Sequence, residues 1–255
     1  MTEYFKDKVA VVLGASAEAG TGWAIAKALG AAGAKVVIGA RRLPELTALA
    51  TTIGATAVAC DASQESQIEH LAEVALATHG RLDIAVNAAF AVTGSNIAEA
   101  SRDTLTGPIE VNYFGNVYFV KHMAKAMHSG GSIVLISSSS AQNTIAPYFP
   151  YACSKAALDC LVRYAALEYG PRQIRVNSIL PGPIRSEAAR ALWTIPGMEE
   201  AFSKDVPLRR IGEPEDFANA VLWLAGPAFV TGLNVPVSGG LHLVRSPFAG
   251  ELPQS

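Results

Sequence analysis

VAVVLGASAEAGTG, Val9 to Gly22, is the first apolar run of the chain, and it runs straight into glycines. A strand that ends this way makes a sharp turn whose bare backbone N–H groups can approach a phosphate, and the dipole of the next helix favours the negative charge. An ordinary strand-to-helix turn could use the same residues. Gly14, Gly20 and Gly22 fit neither G-x-G-x-x-G nor a loop ending in Gly-Lys-Ser/Thr. The remainder of the chain decides between the two readings.

Further short apolar runs come at regular intervals: KVVIG (35–39), ATAVAC (55–60), LDIAVN (82–87), SIVLIS (132–137), IRVNSIL (174–180) and NVPVSG (234–239). They are rich in Val and Ile and continuously apolar, as parallel strands buried on both faces must be. Between the first of them lie helical stretches, GWAIAKALGAAG, LPELTALATTIG and SQESQIEHLAEVALATHG, each stopped by glycine. This alternation predicts an α/β fold, a doubly wound parallel sheet with helices on both faces. No linker or repeat divides residues 1–255, so a single domain is expected.

Composition narrows the function. Half of the 255 residues are hydrophobic, 16% are charged, and the net charge is −2. Such a chain has no electrostatic footprint for nucleic acid or an anionic membrane surface. No apolar run approaches the roughly 20 residues that span a bilayer, and the start, MTEYFKDKVAVV, lacks the apolar core of a signal peptide. A cytoplasmic protein is expected. Cys60, Cys153 and Cys160 form no CxxC pair; the last two, seven apart on one helix, are expected to be small buried hydrophobes. The five histidines have no metal-ligand spacing, so no metal is expected.

The second strand ends at Ala40, where the adenosine ribose of a dinucleotide should lie, and Arg41 and Arg42 follow. An acid at this point reads a 2′-hydroxyl and an arginine a 2′-phosphate, although two adjacent arginines could also be a solvated pair. Asp61, after the third strand, could face the adenine or cap the next helix, since it has capping-box spacing with Gln64. Asn87, ending the fourth strand, could order the loop beside a cofactor or be a turn residue.

The stretch SSSSAQNTIAPYFPYACSK carries the chemistry. Tyr151 and Lys155 share one face of a helix beginning at Pro150. A phenol titrates near pH 10, and a neighbouring ammonium lowers that value, each unit being worth about 1.4 kcal/mol. The two could form an acid/base pair, or a surface lysine could merely lie one turn from a packed tyrosine. Thirteen residues before Tyr151, Ser138 lies where the fifth strand ends, and open α/β sheets bind ligands at such ends. Four consecutive serines could also be loop, and spacing does not say which of them faces inward.

Taken together, these residues resemble the short-chain dehydrogenase/reductase family of the YxxxK type, from about Lys8 to Gly240, leaving a C-terminal tail of 241–255. The family's TGxxxGxG motif reads here Leu13-Gly14 through Gly20-x-Gly22, two residues longer and without the Thr, and its NNAG motif reads Asn87-Ala88-Ala89-Phe90. The resemblance implies a catalytic tetrad of Asn112, Ser138, Tyr151 and Lys155. It implies a dinucleotide held by Gly14, Ser16, Gly20, Gly22, Arg41, Arg42, Asp61, Ala62, Asn87, Tyr151, Lys155, Pro181, Gly182, Ile184 and Ser186. In PGPIRS, Ile184 would face the nicotinamide carboxamide and Ser186 stands for the usual Thr; Ser238 stands where Asp is common.

The implied activity is the interconversion of a secondary alcohol and a ketone, with NADP(H) as cofactor and NAD(H) as the alternative. A catalytically idle NAD(P)-binding sensor or scaffold is a second reading, and an enoyl-thioester reductase, which the longer glycine loop resembles, a third. The YxxxK spacing favours carbonyl chemistry over the enoyl reaction. Glu18 within the loop is awkward for a phosphate ligand. SEAARALWTIPGMEEAF (186–202) is expected to form a lid; its Trp193, Ile195 and Met198 suit an apolar ketone or alcohol, or pack as core. The helix from Tyr151 to Tyr169 is apolar nearly all round, which predicts a homodimer or homotetramer.

Overall fold

The computed structural model describes residues 2–245 and 249–251. Seven strands form one sheet in the order β3-β2-β1-β4-β5-β6-β7, with every pairing parallel. They are β1 (Val9–Leu13), β2 (Lys35–Ala40), β3 (Thr56–Ala59), β4 (Ile84–Asn87), β5 (Gly131–Ile136), β6 (Ile174–Pro181) and β7 (Asn234–Val237). The expected strands are all present with their ends moved by up to two residues. The six long helices are α1 (Thr21–Ala31), α2 (Leu43–Ile53), α3 (Glu65–His79), α4 (Gly115–Ala126), α5 (Phe149–Tyr169) and α6 (Pro214–Ala225). None of the described helices is long and apolar enough to cross a membrane.

Alternation along the strands builds two cores. In β1, Val9, Val11 and Leu13 face one layer with Leu71 of α3, Phe119 of α4 and Leu158 of α5. Ala10 and Val12 face the other, with Ile25 of α1, Leu46 of α2 and Phe217 of α6. Because both faces are covered, the strands must be apolar throughout, and this is why their sequences show no period of two. Strand order reverses beside β1, between β2 on one side and β4 on the other. That switch point opens a crevice at the carboxyl ends of the strands, where Leu13 is level with Asn87.

Two local expectations change. Cys153 and Cys160 are exposed, because α5 turns them away from the sheet while Ser154, Lys155, Leu158 and Val162 point inward. Helix α3 is capped at Gln64 without a side-chain bond. Asp61 instead accepts hydrogen bonds from the N–H and hydroxyl of Ser63, at 2.9 and 2.8 Å, which tightens the turn before the helix.

Candidate active site

The site grows out of the β1–α1 turn. Gly14 has φ +89°, a backbone region that side chains avoid, and a Cβ on it would collide with the backbone of Ala88 and Ala89. A Cβ on Gly22 would strike the carbonyl of Gly14. The glycines thus let β1, the turn and the loop after β4 lie against one another.

Two adjoining cavities share Gly14, Ala17, Ala88, Phe90 and Ala188 in their walls. One, of about 390 Å³, lies over the ends of β2 and β3 and is lined by Ser16, Ala40, Arg41, Arg42, Asp61, Ala62 and Glu187 among others. The second, of about 260 Å³, is lined by Gly20, Gly22, Ser138, Tyr151, Lys155, Pro181, Gly182, Ile184 and Ser186. Together they form a groove across the sheet ends with arginines at one end and a buried ammonium at the other. Glu18 is exposed and lines neither cavity, so its charge is kept off the groove floor. This donor set and volume suit a dinucleotide. Of the catalytic and cofactor-binding residues the resemblance implies, Asn87 and Asn112 lie outside both walls.

Those two asparagines belong to a buried network. Asn87 accepts from the Ala89 N–H at 3.0 Å and donates to Asn116 Oδ1 at 3.0 Å. Asn116 donates to the Asn112 carbonyl at 2.8 Å. Asn112 accepts from the Ala91 N–H at 2.9 Å and donates to the Ala91 carbonyl and to Ser154 Oγ, at 2.8 and 2.9 Å. Ser154 in turn donates to the Tyr151 carbonyl at 2.7 Å. The network joins the loop after β4 to α5. Asn112 sits on a five-residue π-helical segment, Glu110–Phe114, that precedes α4. Every polar group of its side chain is used structurally, and no hydrogen bond joins it to Lys155 among the described residues.

Two serines of the run, Ser137 and Ser138, are buried and line the smaller cavity. Ser137 donates to the Lys155 carbonyl at 3.4 Å, whereas Ser138 accepts from the Ser140 N–H at 3.1 Å and its hydroxyl favours the ionised form of the Tyr151 phenol. Lys155 is 1% exposed, donates to the Ile136 carbonyl at 2.7 Å, and lies 5.7 Å from the centre of the Tyr151 ring. Burial pushes its pKa down to about 7, against the pull of Asp159 one turn on. The expected lowering of the Tyr151 pKa is not supplied by the chain itself. Burial raises it, the Ser138 hydrogen bond opposes this only in part, and an ammonium so close to losing its proton is a weak counter-charge.

The lid differs from expectation. Trp193, Ile195 and Met198 do not line the groove; they pack with Phe202 and Ile211 into a small core of their own. Trp193 meets Phe202 edge-on and donates from Nε1 to the Ile184 carbonyl at 2.8 Å. What the lid offers the groove is Ser186, Glu187, Ala188 and Ala189. Sequence reasoning passed over Glu187, whose only sequence signal is its place one residue after Ser186.

A family model described as enoyl-(acyl carrier protein) reductase matches residues 14–242. The chain is 34% identical over 244 residues to dehydrogenase/reductase SDR family member 4 of Homo sapiens, covering 92% of this chain and 87% of that protein. It is 36% identical over 242 residues to the 7α-hydroxysteroid dehydrogenase of Escherichia coli K12, covering 91% and 93%. The chain belongs to the short-chain dehydrogenase/reductase family. Among solved structures of this family, a short-chain dehydrogenase/reductase from Mycobacterium ulcerans matches with TM-score 0.90 and 32% identity, over 95% of this chain and 92% of that one. A 7α-hydroxysteroid dehydrogenase complexed with NADH and 7-oxo glycochenodeoxycholic acid matches with TM-score 0.86 and 33% identity, over 94% and 97%. As a short-chain dehydrogenase/reductase, the chain is an NAD(P)-dependent oxidoreductase.

Proposed function

We propose that this short-chain dehydrogenase/reductase interconverts a secondary alcohol and a ketone, with Tyr151 as general acid and base. The observation that carries the reading is the convergence of Ser138, Tyr151 and Lys155 on the 260 Å³ end of the groove. When bound, a nicotinamide cofactor would supply a hydride donor or acceptor and, when oxidised, a positive charge. Ser138 holds the substrate oxygen by a hydrogen bond. Tyr151 gives that oxygen a proton during reduction and takes one during oxidation. Lys155, anchored on the Ile136 carbonyl, would hold the cofactor ribose and biases the phenol toward ionisation while it keeps its proton. Asn112 acts by positioning, through Ser154, the helix turn that carries Tyr151. The substrate is apolar: Phe90, Val92, Ile136 and Ile184 wall the same cavity.

The residues at the adenosine end favour NADP(H). Ala40 offers no carboxylate to repel a 2′-phosphate, and Arg41, exposed at the cavity wall, is in no ion pair among the described residues. Replacing Arg41 with alanine is expected to weaken NADPH by about 2 kcal/mol, roughly thirtyfold, and NADH by less than twofold. A panel of ring and chain ketones, a 7-oxo steroid among them, followed by reduced-nicotinamide absorbance with each cofactor, tests the whole reading. Wild-type preference for NADH, or equal losses for both cofactors in the Arg41 variant, would sink the NADP assignment. Failure to reduce any ketone, with turnover of an enoyl thioester instead, would sink the carbonyl assignment.

One domain carries cofactor site and catalytic residues alike, and the reaction is placed in the cytoplasm, in keeping with three unpaired cysteines. The partner is a second copy of the chain, in a homodimer or homotetramer. The outer face of α5 leaves Tyr164 63% and Leu167 76% exposed, beside Cys153 and Cys160. Apolar side chains in such a row need a cover. Sedimentation at micromolar concentration is expected to give a dimer or tetramer; monomer alone would show that this face is a free surface.

A further inference from the structure

Arg42 ends the turn after β2, and Glu187 opens the lid segment after β6, 145 residues away. Both side chains line the 390 Å³ cavity, where they meet edge to edge. Arg42 Nη1 donates to Glu187 Oε1 at 3.3 Å and Nη2 to Oε2 at 3.2 Å, while Nε donates to Ser16 Oγ at 3.3 Å. Glu45 adds a longer contact to Nη1 at 3.9 Å. All three guanidinium nitrogens are therefore engaged, and the lid is fastened to the wall of the adenosine end.

We propose that Glu187 is a specificity-determining residue: it occupies the edge of Arg42 that a 2′-phosphate would need, and so sets how strongly the groove prefers a 2′-phosphate over a 2′-hydroxyl. A guanidinium presents its bidentate edge to one carboxylate or one phosphate at a time. A 2′-phosphate must displace Glu187 or settle for Arg41, and it meets a carboxylate on the same wall. A 2′-hydroxyl makes no such demand and leaves the pair closed. Arg42 is then a reserve cation, and the pair couples the lid to the cofactor end rather than to the substrate end.

The inference rests on reading the groove as a dinucleotide site but not on which dinucleotide wild type prefers. Glu187→Gln keeps the shape and removes the charge; because the side chain is one-third exposed, the fold should be unaffected. Binding is read by calorimetry with adenosine 2′,5′-bisphosphate and adenosine 5′-monophosphate, and by tryptophan fluorescence with NADPH and NADH. The variant is expected to bind the bisphosphate and NADPH roughly tenfold more tightly, on the scale of a charge-assisted pair, with the monophosphate and NADH changed less than twofold. In an Arg42→Ala background the same substitution should gain at most a few-fold, since no cation remains to be released. Unchanged or weaker bisphosphate binding overturns the proposal, and so does equal tightening of both nucleotides. Wild-type preference for NADH together with a tenfold gain in the variant would reject the NADP assignment and keep this one. Wild-type preference for NADPH with no response to Glu187→Gln would do the reverse.

Discussion

Replacing Tyr151 with phenylalanine is expected to lower turnover by roughly 10²–10⁴-fold, the range that positioned acid–base groups contribute, while the melting temperature and cofactor affinity stay near those of wild type. The ring packs where it did, one turn before Lys155 and walling the cavity, and only the hydroxyl is lost. In the protein alone burial holds that phenol's pKa up. Bringing it down falls to Ser138, to the proton on Lys155 and to the charge of an oxidised nicotinamide. The oxidation rate of wild type should therefore rise with pH as the Tyr151–Lys155 pair titrates, and the Phe variant should lose that rise along with the rate. Near-normal turnover by a folded Tyr151→Phe protein would remove Tyr151 from the chemistry and leave Ser138 without a catalytic reason to face it.

If Lys155 holds the cofactor ribose as proposed, replacing it with methionine is expected to cost both turnover, by more than 10²-fold, and affinity for either cofactor. The same variant gives a stability signature. Lys155 is buried and its folded pKa is about 7, against the ordinary 10.5 of an exposed lysine. Between those values the unfolded chain binds a proton that the folded chain does not, so wild-type stability rises with pH across that window. Below pH 7 both states are protonated and the full cost of the buried charge is present. Each unit of the shift corresponds to about 1.4 kcal/mol, so the gain approaches a few kcal/mol, several degrees of melting temperature for a chain of this size. Asp159 works with the opposite sign and on the acid side: its folded pKa is raised, first of all by burial, so its contribution falls as pH climbs from the ordinary carboxyl value. Melting curves of cofactor-free wild type and Lys155→Met at pH 6.5, 8 and 9.5 isolate the lysine. The difference should grow in favour of wild type as pH rises; a constant difference would mean that Lys155 keeps its proton throughout.

The amino-acid sequence by itself determined the layers and the end of the sheet where the groove opens. Continuous Val/Ile runs such as Val9–Leu13 are legible because burial on both faces leaves no alternative composition. Gly14 is legible because its positive φ and the close loop beside it exclude a side chain. Tyr151 and Lys155 are legible because a four-residue spacing on a helix is itself a spatial statement. What only the tertiary structure decided involves groups far apart in the chain. Whether Trp193, Ile195 and Met198 face a ligand or each other depended on where Phe202 and Ile211 arrive. Which way α5 turns Cys153 and Cys160 depended on which flank of an almost wholly apolar helix meets the sheet. The Tyr151 pKa followed from burial, which no spacing of charges reports. The Arg42–Glu187 pair closes over 145 residues of intervening chain, and a contact of that span leaves no periodicity, cap or turn signal in the local sequence.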